Sequence, residues 1–243
     1  MENNEFDLFG EPIKKDVILR DLFIEPPFSV LDTKSGNWQR RKKNWKTLGI
    51  KSEVGRDSVV LNISAKAGVK EDYVSIFDPA LCEVLYNWFC PEGGTILDPF
   101  AGGSVRGIVA NKLGFKYTGI DIRQRQIDSN RNQAKDILDS DNQPNWLVGD
   151  SNEILDSLDG SYDLVFSCPP YADLEVYSDL EKDISNMPYS EFLEAYKSII
   201  KKSCDKLKKG GFAIFVVGEV RGKDGNYIGF VPDTIKAFID AGS

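Results

Sequence analysis

Three carboxylates close three short apolar runs: Asp98 after Thr95-Ile96-Leu97, Asp121 after Phe115–Ile120, and Asp150 after Trp146–Gly149. If the runs are parallel strands, all three acids reach one edge of a sheet, where they can accept hydrogen bonds from hydroxyls and amines. Asp98 leads into Pro99-Phe100-Ala101-Gly102-Gly103-Ser104, a glycine turn that admits a ligand close to the backbone. A helix follows, and its first N–H groups lack intrahelical partners. Asp121 lies 23 residues after Asp98, where nucleotide-binding sheets bond ribose hydroxyls. Asp150 is in reach of an adenine amino group. A nucleoside-bearing cofactor follows. The turn is too short for a P-loop and lacks its Gly-Lys-Ser/Thr, which disfavours a nucleoside triphosphate.

The other stretch that could do chemistry is Cys168-Pro169-Pro170-Tyr171, at the end of an apolar run from Leu164 to Ser167. Two successive prolines cannot donate to a ladder, so the strand must end there in a rigid, extended turn. That turn presents Tyr171 and the carbonyls around Pro169 at the same edge as the acids.

Composition narrows the chemistry. The 243 residues include no histidine, which removes Ser-His-Asp and Cys-His nucleophile activation. The four cysteines form no CxxC pair, so no metal site is expected. No run approaches the ~18 apolar residues of a membrane span, and Met1–Asp7 has no signal-peptide layout. A soluble, cytoplasmic protein is expected.

Strands alternating with helices predict an α/β fold with a mostly parallel, doubly wound, Rossmann-like sheet. Asp78-Pro79 opens a helix that Pro91 and Gly93-Gly94 stop. Further helices are expected from Val105 to Leu113, Arg123 to Leu138 and Ser190 to Lys208. A fifth strand is expected over Phe212–Val217, and Pro232 begins a last helix. Val59–Ser64 reads as a further short strand. The acidic segment Ala172–Met187 follows the Pro-Pro turn as a candidate lid. The domain spans residues 75–243, and 1–74 form an extension.

That extension carries eight basic residues against one acid between Lys34 and Arg56, within a chain of net charge −8. Trp38, Arg40, Arg41, Lys42, Lys43 and Trp45 interleave cations with aromatic rings, which suits phosphate contact with stacking. The competing reading is a solvated helix face that the two tryptophans anchor to the body. The lysines of the 190–208 helix read as a solvated face.

The quoted motifs carry a resemblance. Asp98-Pro99-Phe100-Ala101-Gly102-Gly103-Ser104 resembles the cofactor motif of amino-directed (N6-adenine/N4-cytosine) DNA methyltransferases. Ser167-Cys168-Pro169-Pro170-Tyr171 resembles their catalytic motif, and the sequence also looks like phage-borne members of that family. The resemblance covers about Ser75 to Val220. It implies S-adenosylmethionine as cofactor, DNA as partner and methylation of an exocyclic amino group of a flipped base. Asp98 and Gly102, with Pro99, Phe100, Ala101, Gly103 and Ser104, would line the methionine side, helped by Phe77 and Asp78. Asp121 with Ile122 would hold the ribose, and Asp150 with Ser151 the adenine. Cys168, Pro169, Pro170 and Tyr171 would hold the target base.

Cys168 stands where the family has an oxygen acceptor, and Gly-Gly-Ser replaces Gly-Ser-Gly. Three alternatives stay open: the same chemistry on RNA or a protein amide, carbon-directed transfer using Cys168 with Glu219 assisting, or a cofactor-binding module without activity. Such sheets usually end in two further strands, and none is read after the last helix, so either the C-terminal strands are missing or the edge is built by the N-terminal segment or a partner. An open edge favours association, here a homodimer.

Overall fold

The computed structural model describes residues 31–51, 77–171, 178, 180, 182–222 and 225–242. The strand expected over Val59–Ser64 and most of the first half of the acidic segment lie outside them. In chain order the elements are helix α1 (Gly36–Thr47), α2 (Pro79–Phe89), β1 (Thr95–Asp98), α3 (Val105–Lys112), β2 (Lys116–Asp121), α4 (Gln124–Ile137), β3 (Asn145–Val148), α5 (Ser151–Ser157), β4 (Tyr162–Ser167), α6 (Tyr189–Asp205), β5 (Leu207–Phe215) and α7 (Phe230–Asp240).

The strands form one parallel sheet in the order β3-β2-β1-β4-β5. Their period-two alternation decides what each face buries. Ile96, Leu164 and Phe166 join side chains of α2, α3 and α4 in one core. Leu97, Val165 and Ile120 join α5, α6 and α7 in another. Covering both faces is what an all-parallel sheet requires. The order of the sheet reverses between β1 and β4, so the crevice at their carboxyl ends is the topological switch point where open α/β folds hold ligands. Asp98 and Ser167 end those two strands.

Two local readings differ from expectation. The pair Gly210-Gly211 does not precede the fifth strand but lies inside it, because β5 begins at Leu207. Gly210 takes a φ of 82°, and the register on β4 shifts between Tyr162 and Leu164, so the glycines form a bulge rather than a break. Helix α5 was absent from the expected elements. It begins at Asp150, whose Oδ1 accepts from the Asn152 N–H at 2.8 Å as an N-cap.

Beyond β5 the chain turns back into α7. Oε1 of Glu219 accepts from the backbone N–H groups of Gly229 and Phe230 at 3.1 and 3.0 Å, tying down the start of that helix. Burial would raise the Glu219 pKa, but these backbone donors outweigh it and hold the carboxyl below its usual range. Carboxylates engaged in this way cap helices. The expectation that Glu219 assists chemistry at Cys168 has no support in this arrangement.

Candidate active site at the carboxyl ends of β1 and β4

Asp98 is the hub of the crevice, and its side chain is wholly inaccessible to solvent. Oδ1 accepts from the Phe100 N–H at 3.1 Å and from Ser167 Oγ at 2.5 Å. Oδ2 accepts from Tyr117 Oη at 2.7 Å and pairs with Arg106 Nε at 2.5 Å. Four donors fill the carboxylate. The carboxylate of Asp98 is thus spent on the protein itself, and it acts on the glycine turn by fixing Phe100 and Arg106.

Arg106 does the complementary work. One of its terminal nitrogens donates to the carbonyls of Phe100 and Ala101, at 2.5 and 3.0 Å, and the guanidinium lies 4.8 Å over the Phe77 ring. Burial opposes its charge, but Asp98 beside it more than compensates and keeps the guanidinium protonated. Burial and the same carboxylate push the Tyr117 phenol up, so it stays a neutral donor.

The glycine turn is therefore fastened at nearly every residue. Pro99 O accepts from Ser151 Oγ at 2.5 Å, and the Ala101 N–H donates to Ile120 O at 2.8 Å. Gly102 adopts a φ of 50°, which glycine takes without strain, and its carbonyl accepts from Asn130 at 2.7 Å. Ser104 turns inward to Gln133 Oε1 at 2.7 Å rather than towards a ligand. Gly119 on β2 makes room for this turn, since a Cβ there would lie 2.9 Å from that of Ala101.

Asp121 and Asp150 stay at the mouth of the crevice, both partly exposed. Asp121 accepts from the Arg123 N–H at 2.8 Å and from its guanidinium at 3.2 and 3.3 Å. Asp150 spends Oδ1 on its cap, and Ile122 lies half-buried beside Asp121. An ionised carboxylate has about four acceptor positions, so both acids keep capacity for hydroxyl or amino donors. This donor set fits the ribose and adenine of S-adenosylmethionine.

Directly after Ser167, Cys168 is half-buried, Pro169 buried, and Pro170 and Tyr171 half-buried. Tyr171 packs edge-on against Phe230, ring centres 5.7 Å apart. Phe230 is the residue whose N–H Glu219 holds, so the cap of α7 also braces Tyr171. Because Ser167 Oγ bonds Asp98, one buried carboxylate joins the Pro-Pro turn to the glycine turn.

The basic segment separates into two halves. Trp38 and Trp45 are fully buried and Arg41 nearly so. Arg41 Nε reaches both oxygens of Glu83, at 2.9 and 2.7 Å, and Trp45 Nε1 donates to Glu83 at 2.6 Å. Trp38 Nε1 and Lys42 Nζ donate to Asp78 Oδ2 at 3.1 and 3.0 Å, while Asp78 Oδ1 caps α2. Trp38, Arg41 and Trp45, buried as they are, are thus corrected from nucleic-acid contacts to anchors of α1 on α2, and Asp78 is the post that Trp38 and Lys42 hold. Phe77 packs edge-on against Phe166 at 5.7 Å.

Sequence reasoning missed Arg106, Tyr117 and Glu83. Arg106 left one signal, a cation in the first turn of a helix, where the helix dipole disfavours it unless a specific partner is present.

Residues 21–132 match the N6/N4 methyltransferase family described as DNA methylase. The match covers a little under half of the chain. A release factor glutamine methyltransferase of Fusobacterium nucleatum is 31% identical over 142 residues, covering 55% of this chain and 39% of the relative. This chain therefore spans about two-fifths of that curated relative. The S-adenosylmethionine-dependent methyltransferase of Agrobacterium tumefaciens superposes with a TM-score of 0.51 at 13% identity, covering 71% of this chain and 53% of that one. Magnesium protoporphyrin IX methyltransferase of Synechocystis, solved with S-adenosylmethionine bound, gives 0.47 at 16% identity, over 89% and 88% of the chains. The fold shared with the Agrobacterium enzyme is Rossmann-like, of the methyltransferase type. Among the described residues no group of side chains could hold a metal ion, and no helix is long and apolar enough to cross a membrane.

Proposed function

We propose that this protein is an S-adenosylmethionine-dependent methyltransferase acting on an exocyclic amino group of a flipped base in DNA, adenine N6 or cytosine N4. The observation that carries the reading is the buried Asp98, which holds the cofactor turn through Phe100 and the Pro-Pro turn through Ser167. Two motifs 69 residues apart in sequence become one wall. Asp121 and Asp150 would hold the ribose and adenine, and the turn from Pro99 to Gly103 would pass beside the methionine portion. When bound, the cofactor's sulfonium supplies a methyl group that is already activated.

The chain's own task is then placement, which can supply much of a rate enhancement. The Pro169 carbonyl accepts an N–H of the target nitrogen, and the Cys168 thiol is a weak second acceptor. Withdrawing those protons from the ring plane frees the nitrogen lone pair. Tyr171, braced by Phe230, stacks on the extruded base. No histidine is needed, since the proton leaves to water after transfer.

A second reading has one specific observation behind it. The glutamine methyltransferase relative favours a protein amide nitrogen, which is planar and conjugated like a base amino group. Incubating the protein with methyl-labelled cofactor and separate pools of DNA, RNA and cellular protein distinguishes them. Label in DNA supports the proposal. Label confined to protein establishes the amide reading, and label confined to RNA removes DNA as substrate.

A further inference from the structure

Helix α1 carries Arg40, Arg41, Lys42, Lys43 and Lys46 and no acid, in a chain of net charge −8. The fold neutralises two of these cations and leaves three. Arg41 pairs with Glu83, and Lys42 with Asp78. Arg40, Lys43 and Lys46 are exposed on the opposite side. Among the described residues no carboxylate pairs with any of the three, and Arg40 bonds the side-chain oxygen of Asn37 at 2.8 Å.

The other lysine-rich helix behaves differently. On α6 and just beyond it, Lys197, Lys201, Lys202 and Lys208 each hold a carboxylate, those of Glu194, Asp205, Asp156 and Asp163. Of the remaining lysines there, Lys206 bonds the Leu158 carbonyl at 2.6 Å and no carboxylate among the described residues pairs with Lys209, so that surface is mostly neutralised while α1 keeps three cations together. Three residues separate Arg40 from Lys43 and Lys43 from Lys46, so the cations form a strip roughly 9 Å long at 1.5 Å per residue. That length passes about three phosphates of one DNA strand. The strip is also rigid, because Trp38, Arg41 and Trp45 fasten its back to α2, which begins at Asp78 beside the crevice.

We propose that Arg40, Lys43 and Lys46 form a docking strip for the phosphate backbone of duplex DNA, with no part in reading its bases. That the duplex is the substrate rests on the function proposed above; the strip itself does not. Each phosphate contact contributes a slope of about −0.9 to the dependence of log affinity on log salt. The strip therefore accounts for a slope of about −2.7, or about a 40-fold loss of affinity between 50 and 200 mM salt.

The test uses the full chain and a fluorescently labelled 20-base-pair duplex, titrated across that salt range. The triple variant Arg40→Gln/Lys43→Gln/Lys46→Gln is expected to bind more weakly at low salt, with a slope shallower by about 2.7. A Lys197→Gln/Lys201→Gln control should leave the slope unchanged, and circular dichroism should show equal folding in all three proteins. An unchanged slope in the triple variant, an equal change in the control, or strip dependence on RNA but not duplex DNA would overturn the proposal. Methyl transfer is scored separately. Strip-dependent binding without DNA methylation would overturn the enzymatic reading and leave the surface standing, and methylation without strip dependence would do the reverse.

Discussion

Replacing Arg106 with Leu would remove the cation from a carboxylate that no water can reach. Asp98 would keep the donors Tyr117, Ser167 and the Phe100 N–H, but would lose the 2.5 Å contact that balances its charge. Breaking a buried ion pair from one side costs about 3–5 kcal/mol. The carbonyls of Phe100 and Ala101 lose a donor as well, so the middle of that range, about 4 kcal/mol, is a fair expectation. In a domain of this size each kcal/mol moves the melting temperature by about 2–4 °C, giving a fall of roughly 8–16 °C. Melting should be followed by circular dichroism without cofactor, because bound ligand would raise the apparent stability of any variant that still binds it. The informative comparison is the double variant Asp98→Asn/Arg106→Leu. If the pair is the unit, removing both charges recovers part of the loss, because the uncompensated carboxylate is gone. A fall of less than about 1 kcal/mol in Arg106→Leu, or strictly additive losses in the double variant, would refute the assignment of Asp98 and Arg106 as the hub.

Three further outcomes follow from the same geometry. Cys168→Ser replaces a weak acceptor by a stronger one, so methyl transfer should be retained or raised; loss of activity together with loss of a covalent DNA adduct would indicate carbon-directed chemistry instead. Asp121→Ala should weaken S-adenosylmethionine binding by about 10- to 100-fold, as expected for losing hydrogen bonds to a charged acceptor, with unchanged calorimetric affinity as the contrary result. Glu219 has a folded pKa below its ordinary value of 4.5. Its stabilising contribution is therefore fully present above that value and lost as pH falls through the folded pKa. The melting temperatures of wild type and Glu219→Gln should differ by a constant gap at neutral pH that closes below about pH 4.5, and a gap independent of pH would count against the cap.

The sheet was legible because it depends on local signals, namely apolar runs closed by acids, glycine turns and helical periods between them. Strands β1 to β4 and helices α2, α3, α4 and α6 lie within a few residues of where those signals put them. What stayed hidden depends on contacts between distant residues. Nothing near Asp98 announces that Ser167, 69 positions on, would fill one of its oxygens. Arg106 reads as an ordinary surface cation until the loop carbonyls are seen around it. Trp38, Arg41 and Trp45 show the ambiguity most clearly. Their spacing of three and then four residues is the seam of a buried helix face, yet the same letters satisfy a pattern of cations interleaved with stacking rings. Glu83, the one charged residue of its helix, was the partner that chose between the two readings. Gly210-Gly211 misled in another way, since glycine pairs punctuate chains and also form bulges within strands.

The central claim is that the wall formed by Asp98, Ser167 and the Pro-Pro turn delivers a methyl group to an exocyclic nitrogen of a DNA base. Mass spectrometry of nucleosides from DNA incubated with the protein and deuteromethyl-labelled S-adenosylmethionine tests it most directly. The account predicts labelled N6-methyladenine or N4-methylcytosine, lost on Tyr171→Ala. Label appearing as 5-methylcytosine, or DNA left unlabelled while the protein methylates RNA or a glutamine amide, would contradict it.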